Sequence, residues 1–273
     1  MKLATISNLK KYYGDRLILD IDKFEIEEED KIGIVGENGA GKTTLLKIII
    51  GEIKADEGKV HLTDSYSYIS QLEERCITCE VTKVKKIFNS PSEYKEYLSG
   101  GEKVKIQVVN ALSENRKLII ADEPTSNLDS ESIKILDNMF SKYKGALLVV
   151  SHDRNFLNHI CNKIVEIEDG KINIYKGNYD DYKMLKEENI KCEENEYKKY
   201  ISEKKRLEQV ISAKKVLRDR IKKAPKGMGK SEAKTIKMGD QRGKKNIENN
   251  IKSVEKRIEH MDVKKKPKRQ QQI

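Results

Sequence analysis

The sequence has few of the residues that mark several common protein classes. It has no tryptophan, four phenylalanines and four cysteines among 273 residues, and only 6% of the chain is aromatic. No apolar run approaches the roughly 20 residues that a membrane-spanning helix needs. The first residues lead directly into a strand-like pattern, without the charged and apolar regions of a signal peptide. We therefore expect a cytoplasmic protein with reduced thiols.

Charged residues are abundant and unevenly distributed. Asp, Glu, Lys and Arg make up 37% of the chain, and the formal net charge is +10. Residues 1–185 contain 27 basic and 31 acidic residues, whereas residues 186–273 contain 28 basic and 14 acidic residues. The basic second part indicates a polyanionic partner, either nucleic acid or an anionic membrane surface. A solvated, charged helix is the alternative, and charge alone does not separate these possibilities.

A glycine-rich segment carries the most specific motif of the chain. Residues 36–43 read GENGAGKT, which matches the P-loop spacing G-x-x-x-x-G-K-[ST] between a strand pattern and a helix pattern. Backbone N–H groups of such a loop converge on phosphates, and the helix N-terminus adds a positive dipole. We predict that Lys42 contacts the β- and γ-phosphates and that the Thr43 hydroxyl binds Mg²⁺. The predicted ATP-binding residues here are Gly36, Asn38, Gly39, Gly41, Lys42, Thr43 and Thr44.

Two carboxylates end a buried-strand pattern at residues 118–123, which read LIIADE. A strand of this kind delivers Asp122 to the Mg²⁺ shell, which is the Walker B arrangement. Glu123, one residue further, is predicted to orient and polarise the water that attacks the γ-phosphate. A second buried-strand pattern precedes His152, which we predict to sense or stabilise the γ-phosphate. A lone histidine after a strand is more often structural, but its order and spacing here favour function.

Two further side chains are candidates on weaker grounds. Gln71 follows a strand pattern, and its amide is predicted to contact Mg²⁺ or the attacking water, as a metal ligand and a catalytic residue. Taken singly, it reads as an ordinary surface glutamine. Tyr13 precedes a Gly-Asp turn and is predicted to stack on a purine base, with Tyr12 as the second choice. An ordinary tyrosine at a strand end is the alternative interpretation.

A second predicted anion site lies at residues 98–102, which read LSGGE and begin a helix pattern. A capping serine, two glycines and a helix N-terminus are the features that favour an anion here, namely Ser99, Gly100, Gly101 and Glu102. Strand and helix patterns alternate through residues 1–185, and the chemistry falls at strand ends. We therefore predict an α/β fold class with a largely parallel sheet and a closing hairpin at residues 163–175.

Long helices replace this pattern from residue 179. Residues 179–222 have neither glycine nor proline and predict one helix, and residues 223–245 predict a basic loop because they contain proline and four glycines among lysines. Apolar residues then recur at spacings of four and three, as in a coiled coil. Together these segments predict a basic antiparallel helical hairpin at residues 186–263, followed by a tail at 264–273. A dimerisation coil is the alternative.

The full set of motifs resembles the nucleotide-binding domain of ATP-binding-cassette (ABC) proteins over roughly residues 2–185. It comprises the P-loop, Gln71, the LSGGE signature, Asp122-Glu123, the NLD sequence at 127–129 and His152. The sequences SHDRNFL at 151–157 and YKGNY at 175–179 are similar to the ABC-F family, whose members are soluble and act on ribosomes. The stretch between Gln71 and Ser99 is too short for the extra arm of housekeeping members. The sequence therefore resembles most the Vga-like ribosomal-protection branch, which confers antibiotic resistance.

This resemblance implies an ATPase that uses ATP and Mg²⁺ and binds the ribosome. The implied contacts are large-subunit rRNA and the peptidyl-site tRNA, reached by the hairpin as an interdomain linker. Family members pair two cassettes around two ATP molecules, so we expect the second ABC domain to be absent after residue 264. Hydrolysis would then need a second ABC domain in trans or a homodimer. The alternatives are the soluble ATPase subunit of an ABC transporter and a truncated ATP-binding remnant without independent activity.

Overall fold

The structure is a computed structural model that describes residues 1–70, 99–220, 230–264 and 266, with side chains described outside 230–241. The chain divides into two compact units, Met1–Leu185 and Lys186–Ile273. The strands are β1 (Lys2–Tyr13), β2 (Arg16–Glu27), β3 (Lys31–Gly36), β4 (Glu57–Leu62), β5 (Tyr66–Ile69), β6 (Leu118–Asp122), β7 (Ala146–Val150), β8 (Lys163–Glu168) and β9 (Lys171–Lys176). The helices are α1 (Lys42–Ile49), α2 (Gly100–Ser113), α3 (Ser130–Lys142), α4 (Arg154–Ile160), α5 (Tyr179–Arg220) and α6 (Lys230–Glu259).

The first unit contains a six-stranded sheet in the order β5-β6-β7-β3-β8-β9. Neighbouring strands are parallel except for β9, which pairs antiparallel with β8. Because parallel strands share one direction, their carboxyl ends meet at one edge. In the register, Asp122 lies beside Val150, and Val150 lies beside Ile34 of the P-loop strand. This sheet, together with the second unit's paired helices, confirms the predicted α/β class and its helical hairpin.

A separate antiparallel sheet has the order β2-β1-β4. The strands β1 and β2 form a hairpin around Gly14-Asp15, where Gly14 adopts the left-handed φ of 59° that favours glycine. Both strands are 12 residues long, and β1 extends as far as Tyr13. That extension carries Tyr13 to the hairpin end.

The core of the first unit follows from the continuous apolar strands β6 and β7, which are buried along their whole length. Alternate residues of each strand belong to different apolar clusters, as the period of two requires. One cluster includes α1 and the antiparallel sheet, and the other includes α2, α3 and α4, where the Phe140 and Phe156 rings lie 6.1 Å apart. The strand ends that carry Asp122 and His152 are therefore held on both faces.

The second unit contains α5 from Lys186 onwards, paired with α6. Ion pairs join Glu203 to Arg257 at 3.2 Å and Glu196 to Lys264 at 2.9 Å, so numbers rise along one partner as they fall along the other. The pairing is therefore antiparallel. Buried apolar side chains lie along it, namely Leu207, Ile211 and Ile251.

The predicted basic loop at residues 223–245 is wrong for residues 230–245. Helix α6 already begins at Lys230 and contains both Gly239 and Gly243. Each glycine costs a helix only about 1 kcal/mol relative to alanine, which is too little to end a helix of 30 residues. Residues 221–229 lie outside the described ranges. No helix in the described part of the chain is both long and apolar enough to cross a membrane.

Candidate nucleotide-binding site

The P-loop joins the end of β3 to the start of α1. A side chain at Gly36 would place its Cβ 2.7 Å from the Ile167 carbonyl oxygen, so only glycine fits beside β8. Gly41 precedes α1 with a φ of 101°, and no described side chain caps the helix there. The first N–H groups of α1 therefore remain available to an anion. The Lys42 ammonium donates to the carbonyls of Gly36, at 2.9 Å, and Glu37, at 3.1 Å.

A cavity of about 640 Å³ opens beside this loop and is called the P-loop cavity below. It brings together ten of the residues predicted from sequence, namely Tyr13, Asn38, Gly39, Gly41, Lys42, Thr43, Thr44, Asp122, Glu123 and His152. Three other lining residues were not predicted: Ile18, Ser126 and Val150. Ser126 and Val150 are close in sequence to Glu123 and His152, which is the only signal that pointed to them.

Asp122 is the last residue of β6 and is only 3% exposed. Burial raises the pKa of its carboxyl group, while a hydrogen bond from the Thr43 side chain and the Lys42 charge oppose that rise. Its buried Oδ1 has no hydrogen bond from any residue that the structure describes. A carboxylate oxygen without a partner, beside a threonine hydroxyl, is the oxygen donor set that Mg²⁺ prefers. These residues therefore fit a magnesium ion.

Glu123 lies one residue beyond the strand and has an unusual backbone, with a φ of 53°. Its Oε2 accepts a hydrogen bond from the His152 backbone N–H at 3.4 Å, and its Oε1 lies 3.6 Å from His152 Nε2. Within the described ranges, that buried Oε1 has no hydrogen bond. Burial raises the pKa of Glu123, and the nearby His152 lowers it. A carboxylate with a raised pKa is a stronger base, which suits a group that polarises water.

Lys42 completes the charge distribution of the cavity. Burial lowers the pKa of its ammonium group, and the charges of Glu123 and Asp122 raise it. The cation is thus held partly desolvated opposite two carboxylates. A phosphate group entering the cavity would meet this cation and the helix N-terminus together.

Of the two tyrosines at the hairpin end, Tyr13 lines the cavity and Tyr12 does not. Successive strand residues point to opposite faces, which separates the two rings. Tyr13 is 51% exposed, and the Lys11 ammonium lies 5.7 Å from its ring centroid. The Tyr12 backbone N–H donates to Asp56 at 2.6 Å. The geometry favours Tyr13 as the stacking residue.

The predicted signature residues do not lie in the P-loop cavity. Ser99 caps α2 in a reciprocal capping box, in which Glu102 accepts from the Ser99 N–H at 2.9 Å and its hydroxyl at 2.7 Å. Gly100 and Gly101 approach Asn127 closely, and none of these four described residues lines the P-loop cavity. Gln71 and Leu98 lie outside the described residues, so the predicted role of Gln71 has no structural account.

Curated relatives share about a third of their aligned residues with this chain. The energy-dependent translational throttle protein EttA of Escherichia coli (strain K12) is 31% identical over an alignment of 217 residues that covers 69% of this chain. The ribosome protection protein VmlR of Bacillus subtilis is 31% identical over an alignment of 218 residues that covers 76% of this chain. This chain contains an ATP-binding domain of the ABC transporter type. Its relatives are of the ABC-F type, and it spans 39% of the length of each of these two.

A family model described as ABC transporter matches residues 19–91 and 80–126 of this ABC chain. The structure of an ATP-binding subunit of an ABC transporter has a TM-score of 0.54 and 22% identity, covering 67% of this chain and 92% of that one. A dimeric post-hydrolysis cassette bound to ADP and Pi has a TM-score of 0.53 and 22% identity, covering 64% and 98%. At these identities the neighbours show a shared ABC fold.

Proposed function

We propose that this ABC chain is an ABC-F ATPase of the Vga-like, ribosomal-protection branch. In this proposal it binds the ribosome in the cytoplasm and protects it from antibiotics that act on the large subunit. The observation that carries the ATPase proposal is the convergence of Lys42, Asp122 and Glu123 in one cavity. The similarity to VmlR, whose name describes ribosome protection, supports the ribosomal proposal.

Six residues of the P-loop cavity have a part in the proposed reaction. Bound Mg²⁺-ATP supplies the phosphoanhydride bond that is broken. Lys42 and the N–H groups at the start of α1 hold the phosphates, and Thr43 with Asp122 holds the metal. The Glu123 carboxylate accepts a hydrogen bond from the attacking water and polarises it. Beside it, His152 stabilises the γ-phosphate end of the cavity, while the exposed Tyr13 ring stacks on the base.

The position of the signature segment suggests that a second cassette completes the site. Ser99, Gly100, Gly101 and Glu102 do not line the chain's own P-loop cavity. We infer that they face the nucleotide of a partner, either a second ABC domain in trans or another copy of this chain. The capping box leaves α2 with an ordered N-terminus that such a partner phosphate can approach.

The second unit is the part that we assign to RNA. Residues 186–273 include 28 basic and 14 acidic residues, and the described part of this unit forms a helical hairpin. Large-subunit rRNA and the peptidyl-site tRNA offer the closely spaced phosphates that such a surface binds. The competing proposal, a transporter ATPase subunit, leaves this basic hairpin without a role.

The deciding experiment is co-sedimentation of the Glu123→Gln variant with purified ribosomes. The variant keeps the shape of the side chain but lacks the basic carboxylate, so we expect ATP binding without turnover. Pelleting should depend on ATP and should weaken steeply between two salt concentrations, because phosphate contacts release counterions. The Lys42→Ala variant should not pellet with ATP, since it lacks the phosphate cation. Absence of pelleting by Glu123→Gln, with ATP binding intact and a second cassette supplied, would exclude the ribosome as partner.

Protection needs its own assay. Expression of the wild-type chain, with a second cassette if required, should raise the inhibitory concentration of lincosamide, streptogramin A or pleuromutilin compounds. The Lys42→Ala variant should leave that concentration unchanged at equal expression. Ribosome binding without any change in inhibitory concentration would contradict the proposal of antibiotic protection. It would leave the proposal of a ribosome-binding ATPase standing.

A further inference from the structure

Two hydroxyl groups lie behind the carboxylate and histidine of the P-loop cavity. Thr125 Oγ1 and Ser151 Oγ are 3.1 Å apart and form a hydrogen bond in which either oxygen can be the donor. Thr125 follows Glu123 by two residues, and Ser151 immediately precedes His152. Neither residue lines the cavity, and Ser151 is only 4% exposed. The pair therefore joins the turn after β6 to the turn after β7 without facing a ligand.

Ser151 also fixes the backbone on both sides of His152. Its hydroxyl oxygen accepts a hydrogen bond from the Asp153 backbone N–H at 3.1 Å, which closes a turn over the histidine. Asp153 in turn caps α4 by accepting from the Phe156 N–H at 3.1 Å. The backbone of His152 is thereby tied to the start of a buried helix.

The backbone of Glu123 is held across the same strand pair. Its N–H donates to the Val150 carbonyl at 2.9 Å, and its own carbonyl accepts from the Ser126 hydroxyl at 2.7 Å. The φ of 53° is uncommon for a residue with a side chain, and such a conformation persists only where the surroundings hold it. The hydroxyl pair is one of the contacts that hold this turn.

We propose that Thr125 and Ser151 are a positioning pair that keeps Glu123 and His152 in register across the ends of β6 and β7. The pair acts through those two residues and does not contact the nucleotide. Its effect on turnover rests on the proposed ATPase activity, whereas its effect on backbone geometry does not. A displacement of about 1 Å at a reacting group can reduce a rate by about a hundredfold. A hydrogen bond that prevents such movement therefore has a large effect on rate.

The chain offers a matched set of variants. Thr125→Val keeps the branched shape but removes the hydroxyl, and Thr125→Ser keeps the hydroxyl. Ser151→Ala removes the bond to Thr125 and also the bond from the Asp153 N–H. The control Ser141→Ala removes a hydroxyl that donates to the Asn138 carbonyl at 3.1 Å in α3, a helix whose residues do not line the cavity.

The first measurement is made on the nucleotide-free chain, by the backbone amide resonances and hydrogen exchange of Glu123, His152 and Asp153. Thr125→Val should shift the Glu123 and His152 amides and accelerate their exchange at least about threefold. Ser151→Ala should do the same and should also affect Asp153. Thr125→Ser and Ser141→Ala should match wild type. Unchanged Glu123 and His152 amides in Thr125→Val would overturn the proposal.

The second measurement is ATP turnover, with a second cassette supplied if needed. Thr125→Val should lower kcat about tenfold while KM and ATP affinity change less than about twofold, and Thr125→Ser should recover the rate. A Thr125→Val variant with wild-type kcat would also overturn the proposal that Thr125 and Ser151 are a positioning pair. If the wild-type chain itself shows no turnover, the ATPase proposal fails, and the amide resonances alone decide the positioning pair.

Discussion

Asp122 is the residue at which binding and stability conflict most directly. Its carboxylate is almost completely buried, and one oxygen has no hydrogen bond in the described structure. Burying a charged group without a partner is unfavourable, and this cost is relieved when a cation binds. The raised pKa of Asp122 follows from the same burial. The nucleotide-free chain is therefore less stable because it keeps this oxygen buried at the proposed metal site.

We expect Asp122→Asn to stabilise the nucleotide-free chain by about 1 kcal/mol at pH 7.5. A raised pKa means that the folded chain holds this proton more tightly than the unfolded chain, so its stabilising effect is present at low pH and lost as pH rises. The gain should therefore shrink as pH falls towards the ordinary value of 3.8. Chemical denaturation across this pH range measures it.

The control substitution, Asp56→Asn, should change the free energy of unfolding in the opposite direction. The pKa of Asp56 is lowered by hydrogen bonds from the Tyr12 N–H and the Lys11 side chain, so its ionised form stabilises the fold. Asp56→Asn should therefore reduce the free energy of unfolding at neutral pH. Adding Mg²⁺-ATP should raise the unfolding midpoint of wild type and Asp56→Asn but not of Asp122→Asn. A nucleotide-free Asp122→Asn chain less stable than wild type would contradict the charge-burial argument.

At the level of elements, the start of α2 packs against the turn that follows Glu123. A Cβ at Gly101 would clash with the Asn127 carbonyl oxygen, whereas a Cβ at Gly100 would lie 3.3 Å or more from the Asn127 side chain. The two signature glycines therefore differ in how much room surrounds them. Gly101 is buried and Gly100 is exposed.

Gly101→Ala should destabilise the first unit by about 1–3 kcal/mol, because the backbone of the Asn127 turn must move to make room. Gly100→Ala is the matched control, and its effect should stay within about 0.5 kcal/mol, since only a side chain must adjust. Thermal or chemical unfolding of both variants measures the difference. Equal stabilities of the two variants would show that the Asn127 turn moves without a loss of stability.

The pairing of α5 and α6 depends on a short apolar seam. Leu207→Ala should cost about 2–5 kcal/mol of local stability, because it leaves a cavity beside buried Ile211 and Ile251. Val216→Ala, at a position that is 52% exposed, should change stability by less than about 0.5 kcal/mol. Hydrogen exchange of the α5 and α6 amides reports this local opening. Equal protection in the two variants would mean that ion pairs, rather than the seam, hold the helices.

For the whole molecule, the separation of the signature segment from the P-loop cavity leads to a prediction about assembly. If two copies complete each other's sites, the total rate of ATP turnover should rise more than linearly with protein concentration. In dilute solution it should rise about fourfold for each doubling of the concentration. Lys42→Ala and Ser99→Ala should each be inactive alone, and mixing them should restore turnover, because one intact P-loop then faces one intact signature. Linear dependence without such complementation would contradict assembly from two copies.

Much of the fold and of the site could be predicted because their signals are local. The P-loop spacing requires glycines where the backbone turns and where β8 approaches, and the apolar runs of β6 and β7 match strands buried on both faces. The hairpin of β8 and β9 followed from the turn residues between them. The conformation of each of these segments is set by residues that are close in sequence.

Other features could not be predicted because they depend on distant segments. A loop was expected up to residue 245 because proline and glycines disfavour a helix locally, yet α6 already begins at Lys230. Tyr13 and Tyr12 are chemically equal in the sequence, and only the strand register places one of them at the cavity.

The sequence by itself determined the phosphate-binding loop, the carboxylates at the end of β6 and the change from an α/β unit to basic helices. These depend on residue types at fixed spacing, which set local backbone conformation and charge. The tertiary structure alone decided that one Asp122 oxygen has no hydrogen bond among the described residues, that the signature residues lie outside the P-loop cavity, and that Thr125 contacts Ser151. Those outcomes arise where strands from separate parts of the chain become neighbours, and no spacing within one segment encodes such a distance.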